Sequence, residues 1–130
     1  MIEDDAPIRE VTVRLLMAAG YGVTAAVSGS AGLRAWREHR ADLVLTDMRM
    51  LDMDGFQIIR ELRADVPDLP AVVMSGDSTD SGQRDASPPP DRVGFLHKPF
   101  LRAQLLAAVE AALAAAGQPL PPPVSPSDTQ

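Results

Sequence analysis

Three short apolar runs in this chain each end in a residue that can do chemistry. Leu43-Val44-Leu45-Thr46 runs into Asp47, Ala71-Val72-Val73-Met74 runs into Ser75, and Phe95-Leu96-His97 runs into Lys98-Pro99-Phe100. Runs of this length suit buried strands better than helices. Segments with helical period alternate with them, which argues for an α/β domain with a parallel sheet and helices on both faces. Parallel strands present their carboxyl ends at one sheet edge. Asp47, Ser75 and Lys98, the only lysine of the chain, would then meet there, beside the Glu3-Asp4-Asp5 opening. A carboxylate cluster, a hydroxyl and one ammonium can hold a divalent metal and a phosphoryl group.

The 130 residues predict one domain, and an apolar fraction of 45% supplies one core. Aromatics make up only 4%, so that core is aliphatic. The formal charge of −6 and scattered arginines argue against a nucleic-acid face. The absence of cysteine excludes disulfides and thiolate metal sites. No run reaches membrane-spanning length and no signal peptide pattern is present, so a cytoplasmic location with no membrane partner is expected.

Ile8, Val11, Leu15 and Ala18 repeat at helical spacing after Asp5, a candidate cap, with Pro7 in the first turn. Val23 to Val27 reads as a strand. Leu33 and Trp36 mark a short helix ending near Arg40, before the strand at 42–47. Gly55 to Asp65 reads as a helix with Phe56, Ile59 and Leu62 inward. Strands follow at 71–75 and 92–97, then a long helix from Leu101 to Ala116, stopped by Gly117. The domain is expected over 1–116 and a Pro/Ser-rich disordered tail over 117–130. Residues 76–91 should hold a crossover helix but are polar and proline-rich, so that helix is expected to be degenerate. Only Met1-Ile2 precede Glu3, whereas a strand takes about 5–6 residues. The first strand is therefore expected to be nearly missing, as in an N-terminally truncated chain. His39, His97, Trp36 and the methionines have no metal-like spacing. The histidines are assigned to the surface, the others to the core.

Glu3-Asp4-Asp5, the segment from Asp47 to Gly55, Ser75-Gly76 and Lys98-Pro99-Phe100, in this order and at these spacings, resemble the receiver domain of bacterial two-component response regulators. The resemblance implies a flavodoxin-like, doubly wound five-stranded parallel sheet of order 2-1-3-4-5, with the site at the carboxyl ends of the strands, where open parallel sheets bind ligands. It implies that Asp47 is the phosphoacceptor. Glu3, Asp4, Asp47 and the backbone carbonyl of Arg49 would hold Mg²⁺, Asp4 directly and Glu3 through water. Ser75 and Lys98 would contact phosphoryl oxygens, Ser75 and Phe95 would form the switch, and a cis peptide would precede Pro99. The implied partners are a histidine kinase or a histidine phosphotransfer domain and a downstream protein, and the chain is expected not to be an enzyme with a small-molecule substrate.

Leu51 stands where that family usually has proline, which should loosen the loop after Asp47. Arg49 and Asp77 flank the expected phosphoryl position. The polar, short segment after Ser75-Gly76 resembles receivers at the ends of hybrid sensor kinases. No helix-turn-helix pattern follows Ala116, so output is expected from a separate partner or from chain upstream. The alternative reading is a receiver-like binding module that signals without phosphate. An aspartyl hydrolase of the haloacid dehalogenase type would want a second acid two residues after Asp47, where Arg49 stands.

Overall fold

The computed structural model describes residues 1–50, 52–76 and 90–115. Helix α1 (Ala6–Ala18) begins as expected. The Asp5 carboxylate accepts the Ile8 N–H at 3.0 Å, and Pro7 sits in the first turn, where a missing N–H costs nothing. Gly20, at φ 101°, turns the chain away from the helix. Helix α2 (Gly29–Glu38) opens with Ser28, whose hydroxyl accepts the Ala31 N–H. It starts earlier than Leu33 and ends before Arg40. Strand β1 (Val44–Asp47) leads through a loop to α3 (Gly55–Asp65). Asp54 and Gln57 cap α3 reciprocally, each side chain accepting the other's backbone N–H. Strands β2 (Ala71–Ser75) and β3 (Val93–His97) and helix α4 (Arg102–Ala115) complete the described elements.

The strands form a parallel sheet of order β1-β2-β3, with Asp47 beside Met74 and Ser75 beside His97. The register therefore sets the polar ends of the three strands at one edge. Met1–Glu3 extend the sheet beyond β1. Ile2 bridges in parallel to both Thr46 and Ala26. Its N–H donates to Leu45 C=O at 2.8 Å, and its C=O accepts from the Asp47 N–H at 2.9 Å. On the other side the Ala26 N–H donates to Met1 C=O and the Glu3 N–H to Ala26 C=O. The lateral order, with 24–26 outermost and Met1–Glu3 between it and β1, is the expected 2-1-3-4-5.

Three strands are assigned among the described residues rather than five. The run from Val23 to Val27 forms a β-bridge at Ala26 alone. Further back along the same run, the Met1 amino group donates to Thr24 C=O at 2.9 Å. The degenerate crossover helix, the tail, Leu51 and Asp77 lie outside the described residues.

The sheet separates two apolar layers. Ile2, Trp36, Met48, Phe56, Ile59 and Leu62 pack with α2 and α3 on one face. Leu16, Leu45, Met74, Leu96, Leu105 and Val109 pack with α1 and α4 on the other. Strand alternation sorts β2 between them, Val73 to the first layer and Val72 and Met74 to the second. Trp36 is in the core, as expected, and donates its indole N–H to Asp65 at 3.0 Å. His39 and His97 are exposed.

Candidate functional site

The residues singled out at strand ends meet at one place. β1 delivers Asp47, which the sheet leaves only 7% exposed. The Met1–Glu3 segment, pinned on both sides by backbone hydrogen bonds, delivers Glu3, which is wholly buried. Asp4, the next residue, is exposed at the mouth. One carboxylate oxygen from each of Glu3, Asp4 and Asp47 lies within 4.8 Å of the others. Lys98 reaches in from the end of β3, its Nζ 3.0 Å from Asp47 Oδ1 and 3.1 Å from Glu3 Oε1. The Lys98 N–H donates to Ser75 C=O at 2.7 Å, which ties the ends of β2 and β3 together. The Lys98–Pro99 peptide is cis.

Burial shapes the charges. Desolvation, and then the neighbouring Asp47 charge, push Glu3 up to about 7; hydrogen bonds from Lys98 and the Asp5 N–H oppose this and lose. Desolvation raises Asp47 as well, against the pull of Lys98. The Lys98 ammonium is held above its ordinary value because its hydrogen bonds and charge pairing with Asp47 and Glu3 outweigh its own burial. Two buried carboxylates that ionise reluctantly, with a third at the mouth, form an oxygen-rich donor set that a divalent cation suits. The residues present therefore fit a Mg²⁺ ion.

The loop after Asp47 is closed on itself. The Gly55 N–H donates to Met48 C=O at 2.8 Å, and Arg49 bridges to Asp54. Arg49 thus sits on the first residues of this loop, two positions beyond the phosphoacceptor candidate. Gly55 is required there: a Cβ on it would lie 2.8 Å from the carbonyl oxygen of Asp47. Ser75 is half-buried at the end of β2. Phe95 lies on the α3 side of β3, 60% exposed, with its ring edge-on to the buried Phe56, centroids 6.2 Å apart and planes at 89°.

Two contacts were not foreseen from the sequence. Arg9, on the second turn of α1, donates from Nη1 to Glu3 C=O at 2.9 Å. Its six-residue separation from Glu3 was the only available signal, and it becomes meaningful once α1 folds back toward the strand end. Asp52, which the sequence offers only as part of the segment from Asp47 to Gly55, accepts the Gly29 and Ser30 N–H groups at the start of α2.

Comparisons with known proteins identify the family. The chain is 37% identical over 112 residues to the sensor kinase CckA of Brucella abortus, covering 85% of this chain and 12% of that protein. It is 34% identical over 113 residues to the transcriptional regulatory protein PrrA of Mycobacterium tuberculosis, covering 87% of this chain and 48% of that one. The chain therefore spans about half the length of PrrA and a small part of CckA. Among solved structures, a response regulator receiver protein from Sinorhizobium medicae superposes with a TM-score of 0.75 at 33% identity, covering 88% of this chain and 92% of the other. No described helix is long and apolar enough to cross a membrane. The family model for the response regulator receiver domain matches residues 1–110, which include every strand end at the site, and the chain belongs to that family.

Proposed function

We propose that this chain is the phosphoacceptor module of a two-component phosphorelay, acting in the cytoplasm. A carboxylate oxygen of Asp47 attacks the phosphorus of a phosphohistidine on a kinase or phosphotransfer domain. The P–O bond to Asp47 forms as the P–N bond breaks, and the departing imidazole takes a proton from solvent. An anionic nucleophile meeting an anionic donor needs charge neutralisation and alignment more than a base. Lys98, already on Asp47 Oδ1, swings to a phosphoryl oxygen, and the Ser75 hydroxyl donates to another. Glu3, Asp4, Asp47 and the Arg49 carbonyl would hold Mg²⁺, which supplies the remaining positive charge. Exposure of Asp4 leaves the mouth open to the donor. The new phosphoryl charge then biases a conformational equilibrium through Ser75 and the exposed Phe95. On this reading the chain has no small-molecule substrate of its own. Its output goes to a downstream protein.

The observation that carries the reading is the buried Glu3–Asp47–Lys98 cluster at the strand ends, with Asp4 beside it. The test is incubation with Mg²⁺ and acetyl phosphate, followed by mass spectrometry of the acid-labile adduct. Labelling should fall on Asp47 alone. Undiminished labelling of Asp47→Asn would overturn the assignment.

A further inference from the structure

The loop that follows Asp47 is tied to itself at its base, but its tip is held by another part of the chain. Asp52 Oδ1 accepts the Gly29 N–H at 3.1 Å and Oδ2 accepts the Ser30 N–H at 2.8 Å, and the Ser30 hydroxyl also donates to Oδ2. Met53 closes over the same spot, so tightly that a Cβ on Gly29 would lie 2.9 Å from its sulfur. A helix N-terminus leaves its first N–H groups without intrahelical partners and carries a partial positive charge. Here Ser28 accepts the Ala31 N–H, and Asp52, from a loop more than twenty residues away, takes the two before it. Those hydrogen bonds hold the Asp52 carboxyl down at about 2, so the contact is fully charged at neutral pH.

We propose that Asp52 is a positioning residue for the metal site. By clamping the loop tip onto the N-terminus of α2, it holds the Arg49 backbone carbonyl where it can coordinate Mg²⁺, and so links α2 to metal affinity. This rests on the magnesium reading above. Asp52 itself touches neither the carboxylate cluster nor the reacting atoms.

The test compares Asp52→Ala with Ser28→Ala in the full chain. Both variants remove a cap from the same helix end, but only the first frees the loop. Mg²⁺ titration by calorimetry should show a loss of about tenfold in affinity for Asp52→Ala, the size typical of residues that orient metal ligands. Ser28→Ala should bind as the parent does, although its melting temperature falls. Asp52→Asn, which keeps one acceptor oxygen, should recover part of the affinity. Amide hydrogen exchange without metal provides a second reading: residues 48–54 should exchange faster in Asp52→Ala and unchanged in Ser28→Ala. Parent-like affinity and exchange in Asp52→Ala, or equal losses in both variants, would overturn the clamp. A parent that ignores Mg²⁺ would overturn the magnesium reading and with it the link to metal affinity, while the exchange comparison still decides whether Asp52 holds the loop.

Discussion

Lys98 Nζ stands 3.0 Å from Asp47 Oδ1, an ion pair between the ends of β3 and β1 in which the side chains are 17% and 10% exposed. The same ammonium contacts Glu3. Lys98 therefore neutralises the carboxylate pair, and its loss separates two functions. Lys98→Ala should still bind Mg²⁺, because binding rests on carboxylates and a carbonyl. It should be phosphorylated poorly, losing a charge-assisted contact of about 1.5–3 kcal/mol. Calorimetry and a labelling time course check the two halves. Equal loss of metal affinity would mean the site is organised differently.

Glu3 predicts a pH dependence of stability in the absence of divalent metal. Its carboxyl titrates at about 7 in the folded chain against an ordinary 4.5, so between these values the folded state holds the proton more tightly than the unfolded one. Stability from this group is therefore present below about pH 4.5 and lost as pH rises through 7, by a total on the order of 3 kcal/mol. Melting in EDTA across pH 4.5–8 should show the decline. Glu3→Gln, which cannot ionise, should flatten it, and saturating Mg²⁺ should reverse it, because metal binding favours the deprotonated cluster.

Gly55→Ala should destabilise the chain and slow phosphorylation together. The new methyl would lie 2.8 Å from the Asp47 carbonyl oxygen, a backbone atom that cannot turn aside. Overpacking of this kind costs about 1–3 kcal/mol. Gly22→Ala, where nothing lies within 4 Å, is the matched control and should melt close to the parent. Thermal melts and acetyl phosphate labelling of the two variants settle the point. Equal melting temperatures would show that the loop shifts freely.

Extended apolar residues joined ahead of Met1 should raise stability. A cavity of about 530 Å³ lies between the Tyr21–Thr24 stretch and the start of β1, bordered by Leu16, Leu45, Val109 and Leu113, in line with the Met1–Glu3 ladder. Three or four aliphatic side chains there would contribute on the order of 5–10 kcal/mol before the entropy of ordering them is subtracted. A Gly-Ser extension of equal length should contribute little. If the two extended chains melt at the same temperature, the cavity does not accept a strand.

The strand cores at 44–47, 71–75 and 93–97, the Asp5 cap and the helix from Gly55 to Asp65 were legible in the sequence, because run length, apolar period and capping act within a few residues. So was the company of Asp47, Ser75 and Lys98, since parallel strands must bring their carboxyl ends to one edge. The run from Val23 to Val27 reads locally as a strand, yet its single β-bridge is at Ala26. Pairing is a property of the neighbour as well as of the run, and the run's own residues do not report the neighbour. Tertiary structure alone decided that Glu3 is wholly buried while Asp4 is exposed, that Arg9 reaches the Glu3 carbonyl, and that Asp52 completes a helix begun more than twenty residues earlier. Each of these depends on groups that local sequence pattern does not pair, and their energies arise only when packing removes water and sets a donor against an acceptor.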